Sequence, residues 1–467
     1  MQSAATELSP TFARYARLSR AGLEALQLAK LRRQVERACA HNGFYRDRFG
    51  AAGVRAEDIR SLDDFRSRIP TCGKADFLRD QQEHPPFGRR LGVAPEAVAL
   101  VNMTGGTSGQ GQELYGRTNH DIAIQGFLHY LPWYIAGLRP GHLALNCVPS
   151  GGLTTGGWGP PEGFRVAGAT ALNAGGVLGT DAKVDLMLRF PGLNFIYAST
   201  NYLHTLTEAL RRRAIVPRAQ FPAMRGLFIA GEGYPREWAR SIVAAWGCPL
   251  HEGYGSTQGA GMIATTCEAG VVRDDGHPAR LHFLEWESFV EIVDPLTGRH
   301  AAPGEEGEIV LTNLSILGSP VIRFATRDKA RFLPHEGCTC GRPWHAIEAG
   351  TVARYDDMLK IRGNNVWPAT VDAVMFAHDE IAEYIGRVYV DAAGRTEVEV
   401  SFAVKPDTAP AVAARLPAAL RDALKERTNV LMTLVEVQRG ALPTFTYKAR
   451  RWTDERKAGY AGAKPGA

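Results

Sequence analysis

The stretch Leu227-Phe228-Ile229-Ala230-Gly231-Glu232-Gly233 decides the fold class, because four apolar residues run directly into a glycine-rich turn. A short, wholly apolar run of this kind predicts a buried strand. Residues 143–148 and 195–198 form similar runs. The amphipathic stretch 203–213 lies between the run at 195–198 and the run at 227–230. Strands that alternate with helices predict an α/β core with a mostly parallel sheet.

The pattern changes after about residue 283. Residues 289–293 and 308–312 are strand-like and flank the turn Pro295-Leu296-Thr297-Gly298. This arrangement predicts an antiparallel β module attached to the parallel core. We therefore expect residues 1–355 to form one large α/β domain that contains both parts.

The C-terminal region has its own order of elements. It predicts helix 369–377, strands 383–390 and 397–404, helix 409–427 and strand 433–438. An α-β-β-α-β order of about a hundred residues fits a small α+β domain. We place this domain at residues 356–467.

Composition excludes several classes of protein. The chain has 467 residues, of which 45% are hydrophobic and 22% charged, and its net charge of +5 forms no basic stripe. These features argue against a nucleic-acid partner. No apolar run approaches the ~20 residues that span a bilayer. Seven cysteines, without a secretory signal at the N-terminus, favour reduced thiols or metal ligands in a cytoplasmic protein.

The segment Met103-Thr104-Gly105-Gly106-Thr107-Ser108-Gly109-Gln110-Gly111-Gln112 contains four glycines and three hydroxyl residues. Glycines let successive backbone N–H groups turn toward one point, and hydroxyls add further donors. Such an array binds oxyanions, phosphate above all. No Lys-Ser or Lys-Thr pair closes the segment, so it is not a P-loop. We interpret it as a nucleotide phosphate loop.

Four further motifs follow this loop in a fixed order. They are residues 230–233, 252–258, 320–328 and 354–368, with 442–451 near the end. This ordered set resembles the adenylate-forming enzymes. Within them it resembles the phenylacetate–CoA ligase branch, as do residues 74–79 and 154–159. The resemblance extends from about residue 44 to residue 451.

The resemblance implies a two-step reaction and its cofactors. A carboxylate attacks the α-phosphate of ATP, pyrophosphate leaves, and an acyl-adenylate remains. The small domain then rotates about the hinge residue Asp356, and the thiol of coenzyme A displaces AMP. ATP, Mg²⁺ and coenzyme A are therefore the expected small molecules, together with a small-molecule carboxylate.

The resemblance also implies roles for residues of the large domain. The phosphate loop would hold the β- and γ-phosphates through Thr104, Gly106, Thr107, Ser108 and Gly109. Gly231 and Glu232 would line the adenine slot, and Tyr254 would stack on the purine beside Gly255. Thr257 would reach the α-phosphate, and Asp328 would accept both ribose hydroxyls.

Two catalytic roles fall near the small domain. Arg354 would support the ribose and the phosphate from the hinge edge. Lys448 would bridge the attacking carboxylate and the α-phosphate, where it spreads the developing negative charge.

Three positions depart from the family pattern. Gln258 stands where the family commonly has a glutamate that helps to hold magnesium, and an amide oxygen brings no charge. Gln112 lies near a position at which many relatives carry lysine. Tyr447 precedes Lys448 where glycine is usual, and it restricts how the lysine segment enters the site.

A second metal site is expected around Cys338-Thr339-Cys340-Gly341-Arg342, which resembles a zinc knuckle. Some relatives of this branch carry such a pair together with residues equivalent to Cys267 and His282. Four such ligands would form a closed structural Zn²⁺ site. His277 competes with His282 for the fourth position, and two free surface thiols are the alternative interpretation.

We therefore expect an AMP-forming ligase that joins an aromatic or arylalkyl carboxylic acid to coenzyme A. Trp158, Tyr197 and Tyr202 are candidate walls of the acid pocket. Gln258 and Tyr447 favour one alternative, an adenylating ligase with a non-CoA acceptor such as an amine or an oxyanion. A catalytically silent nucleotide-binding homologue is the other. The resemblance is also compatible with a homodimer.

Overall fold

A computed structural model describes residues 15, 18–104, 111–231, 233–362, 364–391, 394–445, 449 and 451–458. The chain divides into two compact units. The first contains Met1–Gly231 and Ile242–Val352, and the second contains Glu232–Ser241 and Ala353–Ala467. The second unit therefore includes a short segment from the middle of the chain, which the sequence patterns did not indicate. The expected rotation between two domains stays a prediction.

The N-terminal helices of the first unit begin at polar caps. Ser61 and Asp64 form a reciprocal capping box, and Thr118 and Asp121 form another, so that exposed N–H groups of each first turn are bonded. The helices are α1 (Arg20–His41), α2 (Gly43–Ala51), α3 (Leu62–Arg68), α4 (Lys74–Glu83), α5 (Asn119–Ile135), α6 (Thr155–Val166), α7 (Thr180–Leu188), α8 (Thr200–Arg212) and α9 (Pro217–Gln220). A further helix, α10 (Arg236–Trp246), begins in the segment that belongs to the second unit and ends in the first.

The strands of the first unit form a small hairpin and one large sheet. They are β1 (Leu100–Met103), β2 (Leu114–Arg117), β3 (Leu143–Pro149), β4 (Thr170–Gly175), β5 (Phe195–Ala198), β6 (Gly226–Ala230), β7 (Leu250–Ser256), β8 (Gly261–Thr266), β9 (Arg280–Phe283), β10 (Ser288–Val293), β11 (Glu306–Asn313), β12 (Phe324–Leu333) and β13 (Ala346–Glu348).

The large sheet is parallel in one half and antiparallel in the other. Its order is β10-β11-β12-β13-β9-β8-β7-β6-β5-β3-β4. The pairs from β4 through β3, β5 and β6 to β7 are parallel, and β8 then reverses direction against β7. The α/β fold class is confirmed, and the antiparallel module continues the parallel core as one sheet.

The predicted phosphate loop does not follow a strand of the parallel sheet. It connects β1 and β2, which pair antiparallel from Leu100 opposite Arg117 to Met103 opposite Leu114. The loop therefore connects the two strands of a separate hairpin, which a 3₁₀ turn at Pro95–Ala97 precedes.

Two apolar clusters stabilise the first unit. Trp133 of α5 is buried with its ring centroid 4.7 Å from that of Phe228 on β6 and 4.8 Å from that of Phe164 on α6. This cluster joins a helix pair to the parallel strands. A second cluster packs α1 and α2 against the antiparallel half, with Tyr45 and Phe49 stacked at its centre. Burial of aromatic side chains makes a large contribution to both.

The second unit contains a four-stranded sheet in the order β19-β18-β17-β20. Its predicted second helix is wrong as one element, because it divides into two helices; Pro417 lies at the second position of the latter helix, in the first turn, where its missing N–H costs no hydrogen bond. The elements are β14 (Ala353–Arg354), β15 (Leu359–Ile361), β16 (Asn364–Val366), α11 (Pro368–Met375), β17 (Ile381–Val390), β18 (Thr396–Val404), α12 (Pro410–Ala413), α13 (Leu416–Thr428), β19 (Thr433–Glu436), β20 (Trp452–Asp454) and α14 (Glu455–Ala458).

Candidate functional site

The neck of the phosphate loop is closed by a two-way bond between Thr104 and Glu113. The Thr104 N–H donates to the Glu113 carbonyl at 3.0 Å, and the Glu113 N–H donates to Thr104 Oγ1 at 2.9 Å. Thr104 is buried, so its hydroxyl shapes the loop from below. The remaining loop residues assigned to phosphate binding, Gly106, Thr107, Ser108 and Gly109, lie outside the described residues.

The Glu113 carboxylate is completely buried beneath this neck. It accepts the Tyr115 hydroxyl at 3.0 Å, and Gln258 Nε2 lies 3.2 Å from both of its oxygens. Lys74 Nζ lies 3.7 Å from Oε2. Gln258, the expected magnesium ligand, is thus bonded through its amide nitrogen to a carboxylate that sequence reasoning did not single out.

Arg117 at the end of β2 fixes the turn that contains Thr257. Its guanidinium donates to the Thr257 carbonyl at 2.7 Å and to the Ser319 carbonyl at 3.1 Å. Burial of the whole side chain lowers the pKa of Arg117 to about 10, against the attraction of Asp121. A buried cation therefore holds Thr257, and the Thr257 side chain is left half-buried.

Tyr254 and Asp328, assigned to the purine and the ribose, lie in contact. The Tyr254 hydroxyl donates to Asp328 Oδ2 at 2.7 Å, and the Asp328 N–H donates to Thr326 Oγ1 at 3.1 Å. Gly255 follows at an irregularity of the β7–β8 ladder, where a Cβ would lie 2.5 Å from the Gly261 carbonyl oxygen. The nucleotide residues of β7 and β12 therefore meet at one place.

Gly231 ends strand β6 with φ of +92°, a conformation that favours glycine. This backbone reversal explains why the apolar run stops there. Glu232, the other residue assigned to the adenine slot, lies outside the described residues.

Of the site residues expected in the C-terminal part of the chain, the structure describes fewer. Arg354 ends the short strand β14, and residues Tyr355–Asp357 form a 3₁₀ turn that contains the predicted hinge Asp356. Tyr447 and Lys448 lie outside the described residues. Beyond them, Arg451 is buried and donates from Nε to Glu383 Oε1 at 2.7 Å.

The three candidate pocket aromatics have different surroundings. Tyr197 packs edge-on against Trp133 in the apolar core, and Tyr202 is buried with its hydroxyl 3.3 Å from Thr180 Oγ1. Trp158 is half-buried and lines a cleft of about 300 Å³ with Asn173 and other residues of the first unit. Of the three, Trp158 has the clearest access to a ligand.

His129 of α5 is a buried imidazole that lies against Gly159 and Gly261. A Cβ on Gly159 would lie 1.9 Å from His129 Nε2, and one on Gly261 would lie 3.3 Å from it. Within the described part of the chain neither ring nitrogen has a hydrogen-bond partner. Burial lowers the pKa of His129 to about 4, so the ring is neutral near pH 7.

Cys267, His282, Cys338 and Cys340 converge, with their ligand atoms within 4.8 Å of one another. The two sulfurs of Cys267 and Cys338 are 3.9 Å apart, and Cys340 Sγ is 3.6 Å from His282 Nε2. Tetrahedral zinc would separate two sulfurs by about 3.8 Å and a sulfur from a nitrogen by about 3.5 Å.

The hydrogen bond of the second nitrogen of His282 also fits a metal site. His282 Nδ1 lies 3.1 Å from the Trp344 carbonyl oxygen, which fixes a proton on Nδ1 and directs the Nε2 lone pair at the thiols. His277 is exposed and lies outside the cluster. The structure thus brings together the set that contains His282.

Sequence reasoning missed Glu113, Arg117 and the contact of Lys74. A signal was present, because two charged residues stand within the short strand segment Glu113-Leu114-Tyr115-Gly116-Arg117. Charged side chains are almost never fully buried unless paired. A strand that carries two of them therefore points to an organised polar site.

Known proteins of similar sequence and fold identify the class of this chain. Residues 168–317 match the family described as AMP-binding enzyme. The phenylacetate–coenzyme A ligase of Thermus thermophilus is 33% identical over 79% of this chain and 78% of that protein. The enzyme of the same name from Pseudomonas putida is 31% identical over 76% of each.

A crystal structure of 2-hydroxyisobutyryl-CoA ligase in the postadenylation state shares the fold. Its TM-score is 0.85 at 23% identity, and the match covers 98% of this chain and 95% of that chain. The class defined by fold and sequence is the AMP-forming acid–coenzyme A ligases, which activate an acid as its acyl-adenylate before transfer to coenzyme A. The chain belongs to the phenylacetate–coenzyme A ligase family. No helix in the described part of the chain is long and apolar enough to cross a membrane.

Proposed function

We propose that this enzyme activates an aromatic or arylalkyl carboxylic acid with ATP and transfers the acyl group to coenzyme A. The observation that carries the nucleotide half of the proposal is the 2.7 Å bond between Tyr254 and Asp328. It joins an aromatic face for a purine to a carboxylate for a ribose. Relatives named phenylacetate–coenzyme A ligases, up to 33% identical, support an arylalkyl acid as the substrate.

In the first step, the acid carboxylate attacks the α-phosphorus of ATP and the bond to pyrophosphate breaks. Thr257, held by Arg117, would bind the α-phosphate, and the loop entered at Thr104 would bind the β- and γ-phosphates. Lys448 would neutralise charge between the carboxylate and the α-phosphate. Fixed donors of this kind stabilise the transition state more than the ground state.

Mg²⁺ would be held by Gln258 through its carbonyl oxygen, since the amide nitrogen faces Glu113. When bound, the ion neutralises phosphate charge during displacement. The alternative of a non-CoA acceptor depends partly on Gln258, which lacks the charge of the usual glutamate. The Glu113 carboxylate, in contact with Gln258, supplies a negative charge close to that position and so weakens this alternative.

In the second step, the thiol of coenzyme A attacks the acyl carbon and AMP leaves. We propose that residues 356–467 rotate about Asp356 between the two steps, with Arg354 on the edge of the large domain 1–355. The chain would use one small domain for both half-reactions. Gly255 would serve the site indirectly, because the absence of a side chain lets β7 approach the Gly261 carbonyl of β8 beside Tyr254.

We also propose a structural zinc ion bound by Cys267, His282, Cys338 and Cys340. The ligand separations and the bond of His282 to the Trp344 carbonyl support it. Because all four protein ligands are provided, the site would be closed and would stabilise the loop rather than catalyse the reaction.

An AMP-release assay tests the proposed activity. It uses ATP, magnesium and a panel of aromatic and arylalkyl acids, with and without coenzyme A. We expect AMP release that requires both an acid and coenzyme A. Release that is indifferent to coenzyme A would contradict the thioester step, and absence of pyrophosphate exchange with every acid would contradict acid activation.

A further inference from the structure

Glu113 is a completely buried carboxylate at the meeting point of three elements. It directly precedes β2, and its contacts come from Lys74 at the first position of α4 and from Gln258 in the turn after β7. Tyr115, two residues away on β2, donates to the same carboxylate. Few groups in a protein interior gather a cation, an amide and a phenol in this way.

The loop above this carboxylate is also bound to α4. The Leu114 N–H donates to Gln81 Oε1 at 2.9 Å, and Gln81 Nε2 donates to the Gln112 carbonyl at 3.2 Å. The main chain of Glu113 closes the neck with Thr104. These bonds fix the main chain on both sides of Glu113, and so they fix the position from which its side chain reaches Lys74 and Gln258.

The contact with Gln258 determines the direction of that amide. Since Nε2 lies 3.2 Å from both Glu113 oxygens, the nitrogen is the end that a carboxylate can accept from. The carbonyl oxygen is then the end of Gln258 that remains for a cation. A carboxylate at position 258 would instead face the Glu113 carboxylate, and two facing carboxylates do not both ionise readily.

We infer that Glu113 is a positioning residue of the nucleotide site, which orients Gln258 toward the metal and holds Lys74 at the base of the phosphate loop. This inference rests on the proposed function. In this role Glu113 touches neither the phosphate nor the metal and acts through Gln258. Removal of an outer-shell partner typically reduces metal affinity by roughly ten- to hundred-fold.

The test exchanges the two side chains. The variants are Glu113→Gln, Gln258→Glu and the double variant that carries both. Gln258→Glu places two carboxylates in contact, and we expect a lower melting temperature and a loss of about ten-fold or more in affinity for ATP with Mg²⁺. In the double variant the amide and the carboxylate are reversed, and we expect both properties to recover substantially.

Two measurements keep the inference separate from the proposed function. Thermal unfolding without nucleotide or metal reports the contact itself, and calorimetric titration with ATP, with and without Mg²⁺, reports orientation of the metal ligand. Gln34→Glu is a matched control, because it buries a carboxylate beside the Ile316 carbonyl, away from Glu113. When Glu113→Gln is added to Gln34→Glu, the melting temperature should not recover.

The inference is overturned if the double variant is no better than Gln258→Glu in both measurements, or if Glu113→Gln leaves the Mg²⁺ dependence of ATP binding unchanged. If the wild-type protein binds no ATP, the proposed function fails instead. The unfolding series still decides whether Glu113 and Gln258 are coupled.

Discussion

The hydroxyl of Tyr254 donates a 2.7 Å hydrogen bond to the carboxylate of Asp328. The two residues belong to β7 and β12, which are not neighbours in the sheet. A charge-assisted bond of this length fixes the rotation of the phenol and the orientation of the carboxylate together. In the proposed function one side chain contacts the base and the other the ribose of the same nucleotide, so the bond makes them a single recognition unit.

Substitution of either residue should therefore weaken nucleotide binding non-additively. We expect Tyr254→Phe to retain the ring but lose the bond, with a rise of about ten-fold in the KM for ATP, since bonds to charged groups contribute about 1.5–3 kcal/mol. Asp328→Asn should cost more. Steady-state kinetics of the two single variants and the double variant measure the coupling, with Tyr130→Phe as a control. Simple additivity would contradict the single recognition unit.

Much of the large unit could be predicted from sequence. The strands at residues 143–148, 195–198 and 227–230 were predicted within a residue or so, because a continuous apolar run has few alternatives in a large domain. The hairpin that carries the phosphate loop was not predicted. Glu113 directly precedes its strand β2 and Arg117 ends it, and the burial of both side chains depends on partners far away in sequence.

The site shows the same division. Motif order predicted that Tyr254 and Asp328 serve one nucleotide, but no local pattern places Lys74, Glu113 and Gln258 in contact. These residues are separated by 39 and 145 positions, so only the tertiary fold joins them. Pro417 disfavours one continuous helix, but a proline alone does not decide where a helix breaks, since Pro132 lies inside α5 and Pro160 and Pro161 lie inside α6.

The buried imidazole of His129 should make stability depend on pH. The unfolded chain binds a proton near pH 6.5, whereas burial lowers the pKa in the folded protein to about 4. Protonation therefore favours unfolding. This contribution to stability is complete above pH 6.5 and is lost as the pH falls toward 4, with a slope of up to about 1.4 kcal/mol per pH unit.

Urea unfolding of the wild type and of His129→Gln between pH 5 and 8 measures this slope. Glutamine is of similar size and does not titrate. We therefore expect the slope of the free energy of unfolding against pH to fall by an amount that corresponds to nearly one proton taken up on unfolding. An exposed histidine, His277, provides the control substitution. Equal slopes in the wild type and His129→Gln would show that the imidazole is not buried in neutral form.

Zinc content distinguishes the two histidines near the cysteine cluster. We expect one zinc per chain by elemental analysis of the purified protein. His282→Ala and Cys340→Ser should lose the metal and lower the melting temperature, because closed zinc sites contribute to folding directly. His277→Ala should retain it. Loss of zinc in His277→Ala, or its absence from the wild type, would contradict the assigned set.

Arg451 should support the adenylation step through its position beyond Lys448. Its guanidinium contacts Glu383 at 2.7 Å and 3.3 Å and Asp372 at 3.5 Å, and it lies 4.8 Å from the ring of Phe376. Bonding to these two carboxylates raises the pKa of Arg451 against the opposing effect of burial. Loss of one partner from a buried pair costs about 3–5 kcal/mol, so the end of the lysine segment is strongly anchored.

Arg451→Lys retains the charge but loses the two-pronged bond to Glu383. We expect pyrophosphate exchange to fall about ten-fold or more, while thioester formation from a supplied acyl-adenylate falls less, because the role proposed for Lys448 belongs to the first half-reaction. Arg395→Lys alters an exposed pair with Asp391 and should change neither rate. A general loss of folded enzyme lowers the rates of both half-reactions by the same factor. Equal losses would therefore show that Arg451 stabilises the unit without positioning the lysine.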